Sequence, residues 1–170
     1  WCIYVGIDAS SNFRIGLDAG TWGFPSKPKA SNFSPGDRVL FFHAISSSQT
    51  PPPPGFPRVK TVEKFCPGVA KHVVEAKVSN GLYQTQEALW PDEDYPFRFD
   101  FEWVSEAHDL AFSGELFGED LMEVMRKSAC AAGRPYSVPD DGRILLTTRE
   151  LDQRKADRQM ELPKALEEIA

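Results

Sequence analysis

From Phe97 to Trp103 aromatic and charged residues alternate one for one, the signature of a strand with one buried face. The alternation predicts Phe97, Phe99, Phe101 and Trp103 in the core, and Arg98, Asp100 and Glu102 on the opposite side. Arg98 then reads as a surface partner of Asp100 or Glu102. A second pattern follows Pro35-Gly36-Asp37: the unbroken apolar run Val39–Phe42, which reads as a buried strand within residues 38–43. Residues 1–7 and 72–78 read as further strands, the latter turned by Ser79-Asn80-Gly81. Residues 13–19 predict a short helix ended by Gly20. Leu121, Val124, Met125, Ala129 and Ala132 share one face of a helix over 118–132, stopped by Gly133-Arg134-Pro135. Ile144–Leu146 suggests one more strand. From Thr148 the chain is charged with helical spacing, interrupted at Leu162-Pro163.

Composition narrows this picture. A chain of 170 residues that is 41% hydrophobic suits one globular domain with an appendage. We divide it into a domain over 1–135 and a helical extension or linker over 136–170. No run reaches membrane-spanning length, and the first residues lack the pattern of a signal peptide. Three scattered cysteines, Cys2, Cys66 and Cys130, suggest a reducing, cytoplasmic setting rather than a disulfide scaffold. Residues 46–57, with four consecutive prolines, predict an extended surface loop. The net charge of −6 is unevenly spread. Residues 1–80 hold nine Lys/Arg against five Asp/Glu, and the remainder ten against twenty. A positive first half can face phosphates while the acidic half faces away.

The candidate chemistry centres on Thr21-Trp22-Gly23-Phe24-Pro25, an indole presented beside glycine in a loop. Trp22 either plugs the core or stacks on a flat ligand. Ser10, Ser11 and Asn12 either cap the first helix or contact such a ligand. Glu75-Ala76-Lys77, with Asp37 as the preceding acid, fits half of a nuclease metal site, but the pattern is short and common. His43, His72 and His108 form no metal-ligand pattern with the cysteines; Cys66 and His72 are the nearest pair. No phosphate loop, nucleophile elbow or zinc-protease motif occurs. We therefore expect no catalytic residue, metal or cofactor.

The order of Trp1–Val5, TWGFP, PGDRVLFFHA and ALWPDEDYPFRFDFEW resembles the EVE domain of the PUA-like superfamily and, more distantly, the YTH domain. The resemblance implies an α/β (α+β) fold: a curved, barrel-like mixed sheet with flanking helices. It also implies a reader that flips a modified base into an aromatic pocket. Trp22 would be the first wall, with Gly23 of the same stretch lining the pocket. Trp90, Tyr83 or Phe24 would form the second wall. Asp8, Ser10, Ser11 and Asn12 would stand at the base edge, and Lys27, Lys29, Arg58 and Lys60 at phosphates. The implied partner is double-stranded DNA carrying 5-methylcytosine, 5-hydroxymethylcytosine or N6-methyladenine. The module would serve a nuclease or motor domain of a modification-dependent restriction system. Modified RNA is the alternative ligand, and a protein partner at the Pro-rich loop the alternative class.

Overall fold

A computed structural model describes residues 1–29 and 32–138. The strand expected at Ile144–Leu146 and the helical tail beyond Thr148 lie outside the described residues. Five strands form one mixed sheet: β1 (Cys2–Val5), β2 (Thr21–Phe24), β3 (Arg38–Ser47), β4 (Gly68–Gln84) and β5 (Phe97–Phe112). Their order is β1-β3-β4-β5-β2, with β1 parallel to β3 and the other pairs antiparallel. Helix α1 (Ser10–Ala19) follows a single 3-10 turn at Ile7–Ala9. Short helices α2 (Val62–Phe65) and α3 (Gly114–Phe117) precede α4 (Glu119–Cys130). Among the described residues, no helix is long and apolar enough to cross a membrane.

The unbroken apolar run in β3 has a direct cause. Leu40 and Phe42 enter one core, with Cys2, Val73, Leu110, Phe112 and the buried face of α4. Val39 and Phe41 enter the other, with Ile3, Val5, Phe13, Phe24, Val74, Phe99 and Phe101. A strand buried on both faces has no polar side to show. Both edge strands contribute to this second cluster, β1 through Ile3 and Val5 and β2 through Phe24. The sheet therefore curls so that its two edges approach one another around a common core. Phe33 lies over Phe99, with centroids 4.2 Å apart and rings 12° from parallel.

Several expectations need correction. Thr21–Phe24 is not a loop but edge strand β2, with Trp22 opposite Phe99 and Gly23 opposite Arg98. Ser10, Ser11 and Asn12 lie inside α1 and do not cap it; Ala9 takes the cap position, without a side-chain bond. Ser79-Asn80-Gly81 is not a turn, since β4 runs through it with register shifts on either side. Gly81 is needed there because a Cβ would stand 2.5 Å from the Phe33 carbonyl oxygen.

The faces of β5 also depart from simple alternation. Phe99 and Phe101 are core, Phe97 is half-buried, and Trp103 is 49% exposed. The pairing of β2 with β5 ends at Thr21–Asp100, and the β4–β5 register shifts between Trp103 and Ser105. Beyond Phe101 the strand has lost its edge partner, and a bulge re-aims Trp103 and Val104 toward water. Arg98, expected at the surface, is only 5% exposed. Its guanidinium donates to the carbonyls of Tyr95 (2.8 Å) and Glu87, and lies 5.2 Å from the centre of the Trp90 ring. The segment between β4 and β5 folds back over this face, so a charged position of the alternation becomes an interior one.

Arg98→Ala should therefore lower stability by about 2–4 kcal/mol, because two carbonyls lose a charged donor and Trp90 loses its cover. Glu102→Ala, on an exposed side chain, should stay within about 0.5 kcal/mol. Denaturant titration of both variants checks the contrast.

Candidate ligand cavity

The site begins with a missing side chain. A Cβ on Gly23 would stand 2.6 Å from Cβ of Tyr95 and 2.7 Å from Cζ3 of Trp90. Bare backbone at Gly23 lets the Trp90 ring and the Cβ of Tyr95 lie against β2, while Arg98 on the neighbouring strand covers Trp90. The Trp90 indole Nε1 donates to the Asn12 carbonyl oxygen (2.8 Å), and Trp90 and Tyr95 meet edge to face at 5.1 Å. The Asn12 side-chain amide donates to Asp92 Oδ2 (2.8 Å) and to the Tyr95 hydroxyl (3.2 Å). Helix α1 and the 85–96 segment are thus tied together beside the edge of β2. The Asn12 hydrogen bond is the largest cause holding the Asp92 carboxyl below its usual range. Burial raises the Tyr95 hydroxyl, with the neighbouring acids adding to it.

A cavity of about 280 Å³ opens between the two edge strands. Trp22, Gly23 and Phe24 line it from β2, Tyr4 and Val5 from β1, and Asn12, Trp90, Glu93 and Tyr95 from the elements just described. Trp22 is half-buried, with edge contacts to Phe13 and Phe41 at 5.9 and 5.5 Å. It is anchored in the core and also lines the cavity. Trp90 is only 5% exposed and stands nearly perpendicular to Trp22, at 78° and 6.3 Å. The two indoles form a corner rather than two parallel plates.

Backbone polarity adds to the wall. The Phe101 N–H donates to the Gly20 carbonyl (2.8 Å). By alternation in an antiparallel ladder, Trp22 and Phe24 then exchange the bonds with β5. The amide and carbonyl of Gly23 consequently point to the open edge. Next to the cavity runs a groove of about 690 Å³ that shares Phe24, Pro25, Ala132 and Gly133 with it, and carries Lys27, Lys29 and Arg134.

Of the residues singled out from sequence, Trp22, Gly23, Phe24, Asn12 and Trp90 meet in one cavity, with Lys27 and Lys29 in the adjoining groove. Asp8, Ser10 and Ser11 do not line it. Asp8 and Ser11 are exposed, and Ser10 Oγ lies 2.8 Å from Nε2 of buried His43. Burial lowers the His43 pKa, which favours the neutral ring. Tyr83 is not a wall either: its hydroxyl donates to Asp100 Oδ1 (2.8 Å). Arg58 is close enough to oppose the burial-driven rise of the Tyr4 hydroxyl pKa. Exposed Lys60 follows Val59, whose carbonyl accepts from Arg126 of α4, and it lines neither cavity. Tyr4, Glu93, Tyr95 and Arg134 went unmarked by sequence. Tyr95 had a signal, since it lies three residues before Arg98 in the aromatic-rich approach to β5.

The nuclease pattern is placed differently. Buried Glu75 pairs with Arg38 and accepts from Ser105 Oγ, while Asp37 accepts from the Trp1 indole and the Ser34 N–H. Both carboxylates have structural partners. The Pro-rich loop is anchored through Phe56, whose ring stacks on Phe65 at 5.8 Å. No family model matches the chain, and no curated protein matches it.

Gly23→Ala should force Trp90 and Tyr95 off β2, costing about 1–3 kcal/mol as an overpacked site. The expected readouts are a lower Tm and a changed near-UV signal from the displaced aromatic rings. An unchanged near-UV spectrum would mean that the rings do not rest on Gly23.

Proposed function

We propose that the cavity between the two edge strands receives one modified nucleobase extruded from double-stranded DNA, with Trp22 as its stacking face. One observation carries this reading. A partly accessible indole, the backbone edge of Gly23 and the residues Asn12 and Glu93 line a space near the lower limit for small-ligand pockets. Phosphates would run in the adjoining groove past Lys27, Lys29 and Arg134. The Gly23 carbonyl, with the acidic residue Glu93 also in the lining, suits a base with an exocyclic amine. Cytosine, adenine and guanine carry one; thymine does not. The corner formed by Trp22 and Trp90 supplies an apolar surface beside the stacked ring, where an added methyl or hydroxymethyl group would rest.

The proposed role is that of an EVE-like specificity module, with cleavage or translocation carried out by another domain. RNA is the second ligand considered. It would present the same base from a single strand, without the cost of extrusion. The choice of DNA rests on the resemblance to EVE modules.

Extruding a paired base costs a few kcal/mol, and an aromatic face returns about 1–3 kcal/mol. Trp22→Ala should therefore abolish the preference for duplex carrying 5-methylcytosine, 5-hydroxymethylcytosine or N6-methyladenine, while leaving a weak, salt-sensitive residue of binding. Competition binding against matched unmodified duplex, with Tm measured on the same sample, checks this. A folded variant that still selects the modified duplex would remove Trp22 from the pocket. Lys27→Glu with Arg134→Glu should weaken modified and unmodified duplex alike and flatten the salt dependence, because each lost phosphate contact removes roughly one unit of slope. An unchanged slope would place the phosphates elsewhere.

A further inference from the structure

Away from the cavity, the β3–β4–β5 ladder brings the three histidines into one row. His43 pairs with His72, and His72 with His108. Glu106 lies two residues before His108, on the same face of β5. The His72 and His108 rings stack at 4.2 Å and 16°. Both Nε2 atoms turn to one oxygen, Glu106 Oε2, at 2.6 Å from His72 and 3.2 Å from His108. The donor atoms of all three residues lie within 4.8 Å of one another.

We propose that His72, His108 and Glu106 form a divalent transition-metal site, with Zn²⁺ its natural probe. Two imidazoles side by side cannot both be protonated without repelling each other. Two neutral rings can aim their lone pairs at one cation, and the carboxylate then supplies charge as well as a ligand. Bonds of about 2.0–2.2 Å in a tetrahedron set the donors roughly 3.3 Å apart. The two His–Glu spacings, 2.6 and 3.2 Å, are near that, and the exposed His108 ring must tilt out of its stack on His72 for both lone pairs to meet one cation. Imidazole and carboxylate together suit Zn²⁺, Ni²⁺ or Cu²⁺ rather than Ca²⁺ or Mg²⁺. The His72 side chain is 15% exposed and backed by Phe13 at 5.6 Å, while Glu106 and His108 are 40% and 60% exposed. One ligand is therefore held by the core, and the solvent side leaves a coordination position for water or another donor. The site joins β4 to β5, so an ion there would stabilise the centre of the sheet.

Calorimetric titration of the full chain with Zn²⁺ at about pH 7.5, where free imidazole is mostly neutral, tests the proposal. The expected result is one equivalent bound, with a Kd of about 10 μM or tighter, and a Tm that rises with Zn²⁺. His108→Ala and Glu106→Gln alter exposed groups and should leave the fold intact. Each should weaken binding at least tenfold, since changes to outer-shell partners alone cost about 10–100-fold. Cys130→Ser should change nothing. Absence of binding would overturn the site. So would binding that survives His108→Ala and Glu106→Gln, or binding lost in Cys130→Ser, which would place the ion at the thiol.

Discussion

The contact on which the candidate site depends is that of Trp90 with the bare backbone of Gly23. β2 has only four residues and one neighbour, and its free edge stays open. The indole lies instead on the bare face at Gly23, where it is almost completely hidden. Arg98 covers the ring from β5, and its remaining donors tie down the carbonyls of Tyr95 and Glu87. The indole N–H then reaches Asn12, which in turn holds Asp92 and Tyr95. An edge strand, a helix and a long loop are fixed to one another through a single aromatic ring.

That arrangement explains why the cavity can remain open in a packed protein. The curled sheet brings β1 and β2 to the same core without joining them by backbone bonds. The gap left between their ends is framed by groups already held elsewhere: Trp22 by Phe13 and Phe41, Tyr95 by Gly23 and Asn12. A ligand entering it meets prearranged walls, which reduces the ordering cost of binding. The cationic groove begins where the cavity ends, so base contacts and phosphate contacts would be made by adjacent surfaces of one body.

Much of the core was legible because burial on one or both faces leaves a periodic trace. Val39–Phe42, Phe99 with Phe101, and the buried stripe of α4 all carry it. What escaped was set by contacts distant in sequence. Arg98 is interior because the 85–96 segment folds back, and nothing in the alternation of β5 encodes that. Trp103 is exposed because β2 stops short and a bulge intervenes. Of the polar cluster Asp8, Ser10, Ser11 and Asn12, only Asn12 lines the cavity, and of the aromatic candidates Trp22, Trp90 and Phe24 line it while Tyr83 does not. The rise and turn of α1 bring Asn12 to the cavity and direct Ser10 to His43. His72 and His108 were separated by the length of a hairpin, and their pairing depends on a register that only the assembled ladder defines.

The corner at Trp22 is the proposed resting place of a modified base. The chain has four tryptophans in distinct settings: Trp22 half-buried at the cavity, Trp90 buried behind it, Trp103 exposed on β5 and Trp1 beside Phe33. Fluorine NMR of fluorotryptophan-labelled protein, with each resonance assigned by a single Trp→Phe variant, reads all four at once. Duplex carrying the preferred modified base should move the Trp22 resonance most and Trp90 less, while Trp1 and Trp103 stay in place. Matched unmodified duplex should leave Trp22 unmoved. A Trp22 resonance that stays fixed when the modified duplex binds would place the base away from Trp22.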